Sequence, residues 1–110
     1  NIYNKIESSR LEYLKSKLDV TIAKVEQGHF FDQKMEEYRL KKGKESLIKR
    51  DLELYDSLLI LTKESQEIGE KTSYDVETIQ NSYEVKKLDL EIIELEKSST
   101  LLDIYKRIDG

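Results

Sequence analysis

The sequence predicts an all-α protein: a long antiparallel α-helical hairpin of the coiled-coil kind, forming one part of a helical barrel or bundle. Three observations predict it. Apolar residues recur at steps of three and four along almost the whole chain. There is no Pro, there are only four Gly, and charged residues make up 38% against 37% hydrophobic, the balance of solvent-washed helices and not of a sheet protein. A single stretch, Glu67 to Val76, combines a Gly with Thr, Ser and Asp in the order that stops one helix and starts another. Disorder, the competing reading of so much charge, leaves the helical period without a cause.

The whole chain reads as one hairpin, with residues 1–67 as a descending helix, 68–72 as a tip turn and 73–108 as a returning helix, their regular cores spanning about 4–66 and 73–107. In the first helix Ile6, Leu11, Leu14, Leu18, Ile22 and Val25 fall on one face. Gly28 interrupts the pattern before Phe30 and Phe31. With no Pro or Asn beside it, it is read as tolerated inside one continuous helix at a cost of about 1 kcal/mol relative to Ala, and Gly43 as a second weak point of the same kind. From Leu47 onward two stripes run together. Ile48, Leu52, Tyr55 and Leu59 form one, and Leu47, Leu54, Leu58, Leu61 and Ile68 the other.

At the tip, Gly69 is expected to take the left-handed conformation that ends a helix. Thr72 or Ser73 is expected to cap the next one, with Asp75 in its first turn, where a carboxylate suits the helix dipole. The returning helix repeats the double pattern. Val76, Ile79, Tyr83, Leu90, Ile93 and Ile104 form one stripe, interrupted by Lys86, Lys97 and Thr100; Val85, Leu88, Ile92, Leu95 and Leu102 form the other, near the opposite side at about 100° per residue. Stripes on two flanks call for neighbours on both, more helices than this chain supplies, so helices are expected to self-associate. Gly28, Gly69 and Gly110 stand 41 residues apart, a spacing read as chance in preference to a repeat.

Composition excludes several function classes. The net charge of -4, with both signs interspersed, offers no basic stripe for nucleic acid and no polybasic membrane patch. The longest apolar run, Leu58 to Leu61, is far short of the roughly 20 residues a spanning helix needs, so any membrane contact is expected only through regions absent from this chain. With no Cys and one His, His29, there is no thiolate chemistry and no His-based metal site, and His29 reads as a surface or interface residue. Phosphate-binding, dinucleotide-binding, nucleophile-elbow and zinc-protease motifs are missing. Carboxylate pairs such as Glu36 with Glu37, Glu64 with Glu67 and Asp89 with Glu91 read as solvated faces, and the seven Tyr as rings in helix seams with wet hydroxyls. No catalytic residue, cofactor or metal is expected.

Gly69-Glu70-Lys71-Thr72-Ser73-Tyr74-Asp75-Val76, with the closing run from Leu101 to Gly110, resembles the periplasmic tip and returning helix of the TolC-like outer-membrane efflux proteins. Tips in that family are similar to G-x-x-(S/T)-x-x-D-V, followed by a helix of about forty residues, and residues 1–68 have the length of its descending helix, about 100 Å at 1.5 Å per residue. The resemblance implies a periplasmic segment of an outer-membrane export channel, trimeric at full length. A periplasmic adaptor protein would dock at Gly69, Glu70, Lys71, Thr72 and Ser73, and Asp75 would act as channel gate or tip latch. The second Asp that accompanies the constricting type three residues later is Thr78 here, a departure from that pattern. Asp75 is read equally well as a carboxylate that only favours the helix dipole.

Two other functions fit a hairpin. One is the α-hairpin of a periplasmic adaptor (membrane fusion) protein, whose Arg-x-x-x-Leu tip pattern Lys63, Ile68 and Gly69 match poorly. The other is a free-standing helical adhesin or filament subunit.

Overall fold

The computed structural model describes residues 1–109; Gly110, and with it the third member of the 41-residue glycine spacing, lies outside the described residues. Among the described residues there are two α-helices joined by one turn: α1, Ile2–Glu67, of 66 residues, and α2, Ser73–Asp109, of 37. No strand occurs among the described residues. The hairpin and its reversal at Gly69 are as the sequence predicts, with α1 reaching two residues further at its start and one at its end than the periodic core, and α2 two residues further at its end. Gly28 and Gly43 lie inside α1, and a Cβ at either would meet nothing, so packing does not require glycine there.

The chain divides into two compact units, Asn1–Met35 and Glu36–Gly110. The first is helical. Asn1 caps it, its side-chain oxygen accepting the Asn4 N-H at 3.0 Å. Its apolar face, Ile6, Leu11, Leu14, Leu18, Ile22 and Val25, is 45 to 66% exposed.

The second unit holds the antiparallel pair. Half-buried positions 51, 58 and 65 on α1 and 75, 80, 82, 89, 101 and 103 on α2 flank two seam series: along α1, positions 38, 41, 45, 48, 52, 55, 59 and 62; along α2, positions 76, 79, 83, 86, 90, 93, 97, 100 and 104. Both step strictly by three and four, the a and d places of a heptad. The packed centre is thin, with Ile48, Leu59 and Ile93 as its buried apolar residues. Burying each contributes about 1.5–3 kcal/mol. Of the seven Tyr, Tyr38, Tyr55 and Tyr83 sit half-buried in this seam; Tyr3, Tyr13, Tyr74 and Tyr105 are exposed, so the seam reading of tyrosine holds for the first three alone.

The second stripe of each helix is left uncovered. Leu47, Leu54, Leu61 and Ile68 on α1, and Val85, Leu88, Ile92, Leu95 and Leu102 on α2, are all more than half exposed, and only Leu58 is half-buried. A hairpin has one interface, so it can bury one stripe per helix.

Candidate functional site: the hairpin tip and its outer faces

The tip is built by two complementary end motifs. α1 stops in a Schellman arrangement: the Glu70 N-H donates to the Ser65 carbonyl at 2.9 Å and the Gly69 N-H to the Gln66 carbonyl at 3.0 Å, occupying carbonyls that the ending helix would leave bare. This needs a left-handed residue, and Gly69 has φ +83°. α2 starts with a capping box. The Asp75 N-H donates to Thr72 Oγ1 at 3.3 Å, while Asp75 Oδ2 accepts from the Thr72 N-H at 2.8 Å and from its hydroxyl at 3.0 Å. Thr72 is therefore the cap, and Ser73 is the first residue of α2, not part of the projecting turn.

Of the residues singled out at the tip, Thr72 and Asp75 are brought into direct contact. Gly69 and Glu70 bond back to α1, and Glu70, Lys71 and Thr72 stand exposed beyond the helix ends. Asp75 is half-buried, and the Thr72 backbone N-H holds its carboxyl below the usual aspartate range, helped by the Thr72 hydroxyl and the nearby Lys71 charge against a small opposing effect of burial. Because the folded chain releases this proton more readily than the unfolded one, Asp75 stabilises the tip above the ordinary aspartate range. That stabilisation is lost as pH falls through the lowered folded value. In Asp75→Asn the acid-side slope of the thermal midpoint should flatten; a slope equal to that of the unchanged protein contradicts the assignment.

Away from the tip the seam contains a polar layer. Lys97 Nζ donates to both carboxylate oxygens of Glu45, at 3.0 and 2.9 Å, and Lys41 Nζ donates to Thr100 Oγ1 at 2.8 Å, whose hydroxyl in turn donates to the Glu96 carbonyl at 3.1 Å. Glu45 and Thr100 are buried, at 7 and 1% exposure. Hydrogen bonding to Lys97 is the main cause that lowers the Glu45 pKa, and the same bond raises that of Lys97. Nearer the tip, Lys86 pairs with Asp51 at 3.4 Å. Lys86, Lys97 and Thr100, which the sequence presents as interruptions of an apolar stripe, are thus seam members with partners on α1. Lys41 and Glu45 were not legible as their mates from apolar periodicity. The available signal was that both keep step with Tyr38, Ile48 and Leu52.

Among the described residues no three His, Asp or Glu side chains converge as a metal site, and no helix is long and apolar enough to cross a membrane. His29 lies exposed on α1. Comparison of the chain with models of protein families, with curated proteins and with solved structures finds no match.

Proposed function

We propose that this chain is the periplasmic helical segment of a TolC-like export channel, with the tip at the channel entrance and docked on a periplasmic adaptor protein. The observation that carries the reading is the double striping of both helices in the second unit: one stripe is consumed by the hairpin, and the other, more than half exposed, asks for a further helix on each side. A closed wall of such hairpins encloses a lumen, and its mouth is lined by copies of the tip. Carboxylates repeated around a mouth focus negative potential and favour cations. In this reading Asp75 contributes to that ring, while the bonds it makes to Thr72 hold it in place.

The test is made in the full-length protein that contains this segment. A Cβ at Gly69 meets no neighbouring atom, yet Gly69→Val strains a left-handed turn by about 1 kcal/mol or more. It should weaken cross-linking to the adaptor, because a side chain then stands where the partner's backbone would approach. Asp75→Ala should leave adaptor cross-linking nearly intact and alter leak or cation preference in single-channel recordings. If the first change spares cross-linking and export and the second spares conductance, the channel reading fails and a helical adhesin or filament subunit takes its place.

A further inference from the structure

The first unit is symmetric about Leu18. Leu14 and Ile22 stand four residues to either side of it and Leu11 and Val25 seven, so the numbers of each pair add to 36. The symmetry runs on into polar residues: Glu7 and His29 stand eleven residues out, and Asn4 and Asp32 fourteen. At about 100° per residue all nine positions fall within about 40° of Leu18, which makes them one straight stripe. Its five apolar members are 45 to 66% exposed. Helical stability comes mostly from packing an apolar face, and this helix is the only element of its unit. A copy related by a two-fold axis through Leu18, and therefore running the opposite way, presents the same stripe in matching order. Leu11 then meets Val25, Leu14 meets Ile22, Leu18 meets Leu18, the Glu7 carboxylate meets the His29 imidazole, and Asn4 meets Asp32.

Charge selects this occupant and its direction. Two copies running opposite ways bring the same flank of the stripe together from each. On one flank Lys15 and Asp19, about 60° and 100° from Leu18, each face the other residue of the second copy, and Glu26 faces Ser8. On the other flank Arg10 and Lys17 face Gly28 and Thr21, which carry no charge. Glu12 and Lys24, about 120° from Leu18, are turned away from the contact. Copies running the same way would instead set Glu7 against Glu7 and Asp32 against Asp32 within the stripe. Register is selected too, since a slip of one heptad places Glu7 against Ile22 in one direction and Asp32 against Leu11 in the other.

We infer that the face of residues 4–32 is an interface for a second copy of this chain, packed antiparallel about a two-fold axis at Leu18. The contact is isologous, so it closes at two copies and does not propagate. It gives His29, the one His of the chain, an acidic partner that its own copy does not set beside it in the stripe. The pairing uses the first unit alone and needs nothing from export. A channel wall sets all its descending helices one way, so this dimer is a state of the chain outside such a wall.

The chain has no Cys, so disulfides can be placed at will. Leu11→Cys and Val25→Cys variants of the full chain are prepared separately, mixed in equal amounts and mildly oxidised, with helicity checked by circular dichroism. The mixture should give a covalent dimer at about ten times the yield of either variant alone, since the two positions meet only across antiparallel copies. Lys15→Glu in both chains should cut that yield about fivefold, because it sets like charges together twice about the axis, and adding Asp19→Lys to both should restore it. Cross-linking of Leu11→Cys with itself at the yield of the mixture means that the copies run the same way, and overturns the proposal. So does better pairing of Leu11→Cys with Leu18→Cys, which shifts the register by a heptad. Yields indifferent to the charge exchange, or no cross-link at any concentration, overturn it as well.

Discussion

Replacing Ile93 by Ala should destabilise the hairpin by about 3 kcal/mol, the range for removing a buried aliphatic side chain and leaving a cavity behind. Ile93 is 2% exposed and is the best buried apolar side chain of a core that contains only two others, Ile48 and Leu59, so little surrounding structure can collapse to fill the space. In a unit of this size that corresponds to a fall in thermal midpoint of more than 10 °C. Its neighbour provides the contrast. Ile92 is 53% exposed, and Ile92→Ala in dilute solution should shift stability by less than about 0.5 kcal/mol. Thermal melts of the two variants at low concentration decide the matter: similar midpoints would mean that the buried stripe has been assigned to the wrong flank of α2. At high concentration the order of effects on association should reverse, because Ile92 belongs to the uncovered edge.

Glu45→Leu alone should lower the thermal midpoint by several degrees, whereas Glu45→Leu combined with Lys97→Leu should melt at or above the unchanged protein. The single change leaves the Lys97 ammonium in the seam without the carboxylate that accepts two of its hydrogen bonds; the double change removes both charges and restores an apolar layer. What the double variant should lose is register. With Lys41 and Thr100, the pair forms a layer that finds all its partners in one alignment of α1 and α2, and a slip of one heptad would bury Lys97 or Glu45 opposite an aliphatic residue. Spin labels on the two helices should therefore report a single distance in the unchanged protein and a broadened distribution in the double variant. A midpoint as low as that of the single variant would show that the layer stabilises outright, and a single sharp distance would show that it does not set register. Acidity provides a second readout. Glu45 has a lowered pKa, so its contribution is present above the ordinary glutamate range and lost as pH falls through the lowered value. Lys97 has a raised one, so its contribution is intact below the ordinary lysine range and lost as pH climbs through the raised value. The double variant should lack both dependences.

The amino-acid sequence by itself determined what depends on short-range chemistry. The helices follow from a period of three to four residues with no Pro to break it. The reversal follows from Gly69, which alone among the described residues has a positive φ, and from a Thr and an Asp spaced to bond each other's backbone N-H groups. The reciprocity of that capping box was legible in the Thr72-x-x-Asp75 spacing, although the two residues read singly point only to a cap and a dipole partner. Tertiary structure alone decided which stripe is buried. Leu47 and Ile48 are adjacent and comparable in size, and nothing local distinguishes a 59% exposed leucine from a 6% exposed isoleucine; the choice is made by what lies across the seam. For Glu45 that partner is 52 residues away, and for Lys41 it is 59, so both read as ordinary solvated charges until α2 is laid against α1. The face of residues 6–25 shows the same thing in reverse, since from Leu11 on its apolar residues step by three and four as those of the seam do, yet they are 45 to 66% exposed. Periodicity says that a face wants a partner, and only the folded chain, or a second copy of it, says which faces find one, because burial is a property of pairs of elements and not of either element alone.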